Sequence, residues 1–461
     1  MTRYDAIVVG AGQAGPYVAS RLTGAGMKVA VIERNLMGGT CVNTGCVPTK
    51  TMVASAYAAR MAARAAEYGV DVGPFHVDMK RVKARKDAVS GQSRTGLENW
   101  LQTMENCTVY RGHARFESAH DLRVGEERLH ADKIFLNVGG RAVVPDMPGI
   151  REIDVLTNSS MMSVDFLPRR LIVVGGSYIG LEFAQMFRRF GAEVTIIEMG
   201  PRLIAREDED VSNAIREIVE SEGVEVRLNA KCIGFARQGD EIMADVDCES
   251  GAPQVPGSHV LLAVGRRPNT DDLGLDEAGV AVDARGYVVV DDQLRTSAPG
   301  VWALGDCNGK GAFTHTAYND AEIVIANLLE NDPRRVSDRI TAYALYVDPP
   351  LGRAGMTEEE IRKSGRKALV GKLAMTRVGR AVEKGETQGF MKIAVDAETG
   401  AILGAAILGA GGDEVIHSIL DVMYAKAPWT AIRGAMHIHP TVSELVPTML
   451  SELRAMDTTA A

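Results

Sequence analysis

The sequence is short of several things, and each shortage closes off a class of protein. Six cysteines in 461 residues are too few to staple a secreted scaffold. No stretch reaches the roughly 20 consecutive apolar residues that a bilayer span needs, so no membrane partner is expected. Met1-Thr2-Arg3 leads directly into the strand-like run Tyr4 to Val9, without the separate apolar segment and cleavage site of a leader. A cytoplasmic protein is expected. Lys and Arg form no run and the formal net charge is −9, so nucleic acid is not an expected partner. A solvated acidic surface that favours solubility accounts for that balance. Low-complexity linkers are missing too, which points to tightly packed domains. At roughly 100–200 residues per domain, the length allows about three.

Glycine, by contrast, is abundant at 48 residues, and its placement is informative. Ile7-Val8-Val9-Gly10-Ala11-Gly12-Gln13-Ala14-Gly15 leads into a helical stretch to Gly26, then a strand Lys28 to Ile32 that ends at Glu33. Leu171-Ile172-Val173-Val174-Gly175-Gly176-Ser177-Tyr178-Ile179-Gly180 leads into a helical stretch to Gly191, then a strand Glu193 to Ile197 that ends at Glu198. The acid lies 23 residues after the first glycine in both, at 33 after 10 and at 198 after 175. Strand, tight turn, helix, strand and acid make up a dinucleotide-binding unit. The first glycine permits the turn and a small second residue lets backbone approach a pyrophosphate. The third glycine lets helix and strand pack, while the helix N-terminus offers free N–H groups to phosphate. The closing acid takes the ribose hydroxyls. Ser177 departs from the pattern where the first unit has Gly12.

Elsewhere the reading is coarser. Residues 51–100 read as mainly helical. Val109 to Asn137 alternates as β-hairpins do, with a turn at Val124-Gly125-Glu126. A helix is expected over Asp210 to Ser221, and strands with two helices from about residue 341.

The most telling segment is Gly38-Gly39-Thr40-Cys41-Val42-Asn43-Thr44-Gly45-Cys46-Val47-Pro48-Thr49-Lys50. It begins five residues after Glu33, where an FAD would extend from its ribose toward the flavin. Two cysteines this close can form a redox-active disulfide, ligate a metal or serve structure alone. No second pair or histidine cluster lies nearby to complete a tetrahedral site. Gly45 and Pro48 distort a local helix in a way that brings the sulfurs within disulfide reach. A helix start also favours the thiolate.

That segment closely resembles the active-site signature of the class I pyridine-nucleotide-disulfide oxidoreductases, among them dihydrolipoamide dehydrogenase, glutathione reductase and mercuric reductase. The resemblance covers essentially the whole chain. Thr296-Ser297-Ala298-Pro299-Gly300-Val301-Trp302-Ala303-Leu304-Gly305-Asp306 is similar to the family's second FAD segment, and His439-Pro440-Thr441-Val442-Ser443-Glu444 to its C-terminal signature. The resemblance implies that Cys41 is the thiol that meets substrate and Cys46 the thiol against the flavin. Lys50 stands beside the flavin's reactive nitrogen and Glu182 pairs with it. Gly10, Gly12, Gly15, Glu33, Gly39, Thr40, Lys50, Gly305 and Asp306 would contact FAD. Gly175, Ser177, Tyr178, Gly180, Glu198 and Gly265 would contact NAD(P)H, with Tyr178 gating the nicotinamide pocket. His439 and Glu444 would form an acid–base pair that reaches the partner subunit's active site, which makes a homodimer with shared sites the expected assembly. His437 is read as structural. Cys107, Cys232, Cys248 and Cys307 match nothing catalytic.

The expected fold is α/β: two doubly wound, Rossmann-like nucleotide-binding domains plus a C-terminal α+β dimerisation domain. The expected boundaries are 1–149 and 271–340 for a split FAD-binding domain, 150–270 for the NAD(P)-binding domain and 341–461 for the interface domain. The expected activity is electron transfer from NADH, with NADPH possible, to the Cys41–Cys46 pair and on to a small-molecule acceptor of disulfide type. Glu198 favours NADH, although Arg202 and Arg206 lie a few residues downstream. One alternative is a reductase for a metal ion, Hg(II) or Cu(II), or for reactive-chlorine defence. Mercuric reductases carry a C-terminal cysteine pair, however, and Leu445 to Ala461 has no cysteine. A third reading is a dihydrolipoamide dehydrogenase subunit of a larger complex, though no lipoyl-type domain precedes residue 1. No metal site is expected in the protein itself.

Overall fold

Two parallel sheets organise the chain, and each is built on one of the glycine turns. In the computed structural model, which describes residues 1–231, 233–247 and 251–456, the first sheet orders its strands as 301–303, 133–136, 6–9, 29–33 and 107–111. The second orders 155–156, 259–262, 170–174, 193–197 and 225–227. Both are parallel throughout. Ala6–Val9 and Val29–Glu33 are buried at every position. Strands covered on both faces, here by helices on one side and by residues 114–129 on the other, need continuous apolar runs, not alternation. The strand Val301–Ala303 returns to the first sheet after the whole second unit, which is therefore inserted.

The expected hairpins are only partly present. Ala114–Phe116, Asp121–Val124 and Glu127–His130 form an antiparallel meander that turns at Gly125 and Glu126, as read from sequence. The two ends of that stretch differ from the reading. Cys107–Arg111 and Lys133–Leu136 belong to the parallel sheet, where Phe135 packs toward helices on one face and Ile134 and Leu136 pack toward the meander on the other. The helix of the second half runs Glu209–Ser221.

From residue 342 onward an antiparallel sheet orders 342–345, 351–355, 402–408, 390–396, 368–374 and 454–455. Two helices were expected there. Among the described residues five form: Glu358–Ser364, Gly379–Glu383, Gly412–Tyr424, Thr430–Arg433 and Val446–Leu450. Only the third exceeds two turns, and shorter helices leave no readable 3.6-residue period.

The C-terminal sheet docks on the second unit through buried charge. Arg353 bonds Glu207 and reaches Asp208 at 3.0 Å, and neither the guanidinium nor Glu207 meets solvent appreciably. Lys392 Nζ lies 2.9 Å from Asp208, 2.7 Å from Asp210 and 2.7 Å from Glu358. Those three acids are the one group among the described residues placed closely enough to hold a metal ion, and the Lys392 ammonium sits among them. Burial opposes its charge, but the carboxylates outweigh burial and hold its pKa above the usual lysine value. Among the described residues, no helix is long and apolar enough to cross a membrane.

Candidate active site

The two glycine turns have the same construction. Gly10 has φ +104°, and a Cβ there would lie 2.2 Å from the Asn137 carbonyl oxygen; Gly175 has φ +109°, and its Cβ would lie 2.5 Å from that of Ala263. A side chain fits neither position. The acid that closes each unit is bound to its own turn. Glu33 accepts from the Ala11 N–H at 2.9 Å and the Asn35 N–H at 2.8 Å. Glu198 accepts from the Gly176 N–H at 2.6 Å and the Gly200 N–H at 2.7 Å. Ser177 causes no distortion, because its backbone is extended, a conformation any residue adopts.

A cavity of about 1270 Å³ opens beside the first turn. Its walls include Gly10, Gly12, Glu33, Gly39, Thr40, Cys41, Cys46, Lys50, Tyr178, Glu182, Gly305 and Asp306, residues spread over 296 positions of sequence from 10 to 306. Gly15 lies behind the wall, where a Cβ would strike the Gly10 carbonyl at 2.2 Å. Gly175, Ser177, Gly180, Glu198 and Gly265 line neither this cavity nor its neighbour of about 690 Å³. They form the second turn and its surroundings, with Gly265 at φ +126° accepting from the Val143 N–H at 3.0 Å. Burial pushes the Asp306 carboxyl up, against the opposing pull of Arg266 at 3.6 Å.

Cys41 lies in the short helix Gly39–Asn43 and Cys46 is the first residue of the helix Cys46–Ala63, with Gly45 between the two helices. Both are free thiols in this structure. Their electrostatics are unequal. The Cys41 thiol donates to the Cys46 sulfur, which lowers Cys46 to about 6 against the opposing effect of burial, with Thr314 and Lys50 assisting. The same bond, with burial, raises Cys41. Thr314 Oγ1 stands 3.2 Å from Cys46 Sγ. The negative charge of the pair therefore rests on Cys46.

Lys50, one turn along the same helix, meets Glu182 on the buried face of the helix Tyr178–Phe190, at 2.8 and 2.7 Å to its two oxygens. The Tyr346 N–H also donates to Glu182 at 3.1 Å, and the Lys50 ammonium lies 4.6 Å from the Tyr346 ring centroid. Tyr178 stands edge-on to Phe313 at 5.9 Å and to Tyr343 at 5.6 Å. Its buried hydroxyl makes no well-formed hydrogen bond among the described residues, and the neighbouring Tyr343 hydroxyl donates to Glu207 at 2.6 Å. Burial pushes the Tyr178 hydroxyl up to about 12.

His439 Nδ1 lies 2.9 Å from Glu444 Oε2, but neither residue lines the cavity of its own chain, and the imidazole is 79% exposed. His437 is half-buried and lies 3.2 Å from the Ala435 carbonyl. Cys307 is buried and Cys107 partly buried, both outside the cavity walls. Cys232 and Cys248 lie outside the described residues. The sequence reading missed Thr314, Tyr343 and Tyr346. Thr314 had a signal, since it follows the second FAD segment by eight residues, from 306 to 314.

Comparison with known proteins gives the same reading. Residues 4–321 match the profile of the pyridine nucleotide-disulphide oxidoreductases, and residues 341–450 that of the dimerisation domain of the same proteins. A protein of Escherichia coli (strain K12) named as a probable pyridine nucleotide-disulfide oxidoreductase, RclA, is 36% identical over 98% of this chain and 99% of its own. The dihydrolipoyl dehydrogenase of Thermus scotoductus is 32% identical over 96% of each. A solved structure described as the Cu(II) complex of HOCl-induced flavoprotein disulfide reductase RclA from Escherichia coli superposes with a TM-score of 0.89 at 35% identity. It covers 98% of this chain and 99% of that one. The chain belongs to the pyridine nucleotide-disulphide oxidoreductase family. It is an enzyme that uses FAD and NAD(P)H, and the cavity lined by Gly10, Gly12 and Gly39, which present backbone without side chains, fits the pyrophosphate of FAD.

Proposed function

We propose that this member of the pyridine nucleotide-disulphide oxidoreductase family oxidises NADH and reduces a small disulfide-type acceptor through Cys41 and Cys46. The observation that carries the reading is the uneven thiol pair: a thiolate on Cys46 facing Lys50 and Thr314, and a protonated Cys41 beside it. Bound FAD supplies a two-electron carrier between the dinucleotide and the cysteines. Lys50, fixed by Glu182, holds positive charge beside the Cys46 thiolate. Gly10, Gly12, Gly39, Thr40, Glu33, Gly305 and Asp306 seat the flavin nucleotide, and Gly15 lets the helix pack behind them. Gly175, Ser177, Gly180, Glu198 and Gly265 seat the hydride donor, and Tyr178 covers the nicotinamide position.

Cys41, with its raised pKa, needs a base before it can attack. The partner subunit's His439, oriented by the partner's Glu444, takes that proton. The Cys41 thiolate then displaces one sulfur of the acceptor and forms a mixed disulfide. Cys46 displaces the second, which leaves a Cys41–Cys46 disulfide and a reduced dithiol acceptor. On this reading 341–461 is the interface domain of a homodimer. Met436 and Ile438, 98% and 80% exposed beside His439, are the apolar surface that such an interface covers. Residues 1–149 with 271–340 and residues 150–270 are the two nucleotide domains, and the enzyme works in the cytoplasm.

A second reading, metal-ion reduction, draws support from the Cu(II) complex of the RclA structure. A steady-state screen with NADH separates the two, using lipoamide, glutathione disulfide, Hg(II), Cu(II), quinone and hypochlorite. Turnover of a disulfide that Cys41→Ser abolishes supports the proposal. Turnover confined to metal ions overturns it.

A further inference from the structure

We propose that Arg206 is a specificity-determining residue for the hydride donor: its guanidinium rests on the Tyr178 ring while the nicotinamide position is covered, and transfers to the donor's diphosphate when that ring swings aside. The inference rests on the NADH-oxidising function above and on Tyr178 as the covering ring.

Arg206 is exposed and borders the smaller cavity. Its guanidinium lies 5.6 Å from the centroid of the Tyr178 ring. Among the described residues no carboxylate pairs with it. It is therefore a cation held by a ring face alone, an attraction weaker than charge-assisted hydrogen bonds to phosphate. Tyr178 follows the turn Gly175-Gly176-Ser177 directly and opens the helix Tyr178–Phe190. The diphosphate of a dinucleotide belongs on the free N–H groups of that helix start. The guanidinium thus stands above the first side chain beyond the diphosphate seat.

The chain is forced to bring Arg206 there. Ile204 has φ +46°, a conformation that a β-branched residue adopts only where surrounding contacts impose it. Those contacts are present. The Ile204 N–H donates to the Gly176 carbonyl at 2.9 Å, which ties the segment to the glycine turn. Glu207 is buried and anchored by Tyr343 and Arg353. Arg206 lies between the two anchors, and only its side chain is free to move. Phe313 and Tyr343 occupy the other sides of the Tyr178 ring. Displacement of that ring by a nicotinamide removes the surface on which Arg206 rests, while the same ligand delivers two phosphates beside it. A ligand shifts such an equilibrium by its differential contacts with the two states. The phosphate contact made only in the open state supplies that difference.

The test compares NADH with dihydronicotinamide riboside, a hydride donor without phosphate. In the FAD-loaded enzyme, Arg206→Gln lowers the ratio of kcat/KM for NADH to kcat/KM for the riboside about tenfold. It raises the Kd of NAD⁺, read by titration calorimetry, by a similar factor, and makes that Kd less sensitive to salt. Arg206→Lys keeps the charge but not the planar fork and falls between the two. If Arg206 only holds Tyr178 in place, both donors change together and the ratio stays within twofold of wild type, which overturns the inference. Wild-type enzyme whose flavin NADH fails to reduce overturns the function proposed above instead.

Discussion

Replacing Thr314 with valine tests where the active-site charge lies. The hydroxyl stands 3.2 Å from Cys46 Sγ and is the second group, after Cys41, that holds this thiol down to about 6. Valine keeps the shape and removes the donor. A hydrogen bond to a charged acceptor is worth about 1.5–3 kcal/mol, and one pKa unit corresponds to about 1.36 kcal/mol. Because the sulfur opens onto the cavity, solvent screening favours the lower end, so the Cys46 pKa is expected to rise by about one unit. The sign follows from the charged form. The Cys46 thiolate persists above its pKa and is lost as pH falls through it, so loss of a stabilising donor moves the transition to higher pH. The readout is the long-wavelength absorbance of a thiolate against the flavin, recorded across pH after anaerobic two-electron reduction. Cys46→Ser abolishes the band and Cys41→Ser retains it. A Thr314→Val midpoint equal to wild type, or a band that survives Cys46→Ser, refutes the assignment of the thiolate to Cys46.

Three further outcomes are expected. Hybrid dimers of a Cys41→Ser subunit with a His439→Ala subunit recover part of the activity that each parent homodimer lacks; verified heterodimers without recovery argue against shared sites. The ratio of kcat/KM favours NADH over NADPH by tenfold or more at fixed salt. Two negative groups about 4 Å apart repel by roughly 1–4 kcal/mol, and Glu198, the proposed ribose-binding acid, is fixed by two backbone N–H groups. Arg202 is occupied by the Ala205 carbonyl at 3.0 Å, and a ratio favouring NADPH would show that it releases that contact. Finally, Arg353→Met strands Glu207 without a counter-charge in the interior and destabilises the protein by about 3–5 kcal/mol, measured by denaturant unfolding, whereas an unchanged midpoint shows that the pair is dispensable.

What could be read from sequence was whatever short-range pattern encodes. Gly10 to Glu33 and Gly175 to Glu198 each fit within one βαβ unit, so turn, helix and acid announce themselves together. The two-residue turn at Gly125 and Glu126 is equally local. The pairing of Lys50 with Glu182 spans 132 residues and was accessible only through resemblance. Thr314 meets Cys46 across 268 residues, and no periodicity links them. Tyr343, Glu207 and Arg353 were invisible for a related reason, since a buried charge reads in sequence like any exposed one. Arg206 was read as a neighbour of the Glu198 ribose site because it lies eight residues away in sequence, at 206 against 198. The left-handed Ile204 redirects it toward Tyr178.

Lys392 has a bearing on how such a protein survives where dissolved metals fluctuate. Three converging carboxylates, one buried and two half-buried, are the kind of arrangement that elsewhere recruits a divalent ion from the surroundings. Here the neutralising cation is supplied by the polypeptide itself and arrives with every newly made chain. It cannot be stripped by a chelator, exchanged for copper or mercury, or go unfilled during scarcity. The charge balance at the joint between the second sheet and the C-terminal sheet is thereby built from side chains of the chain itself.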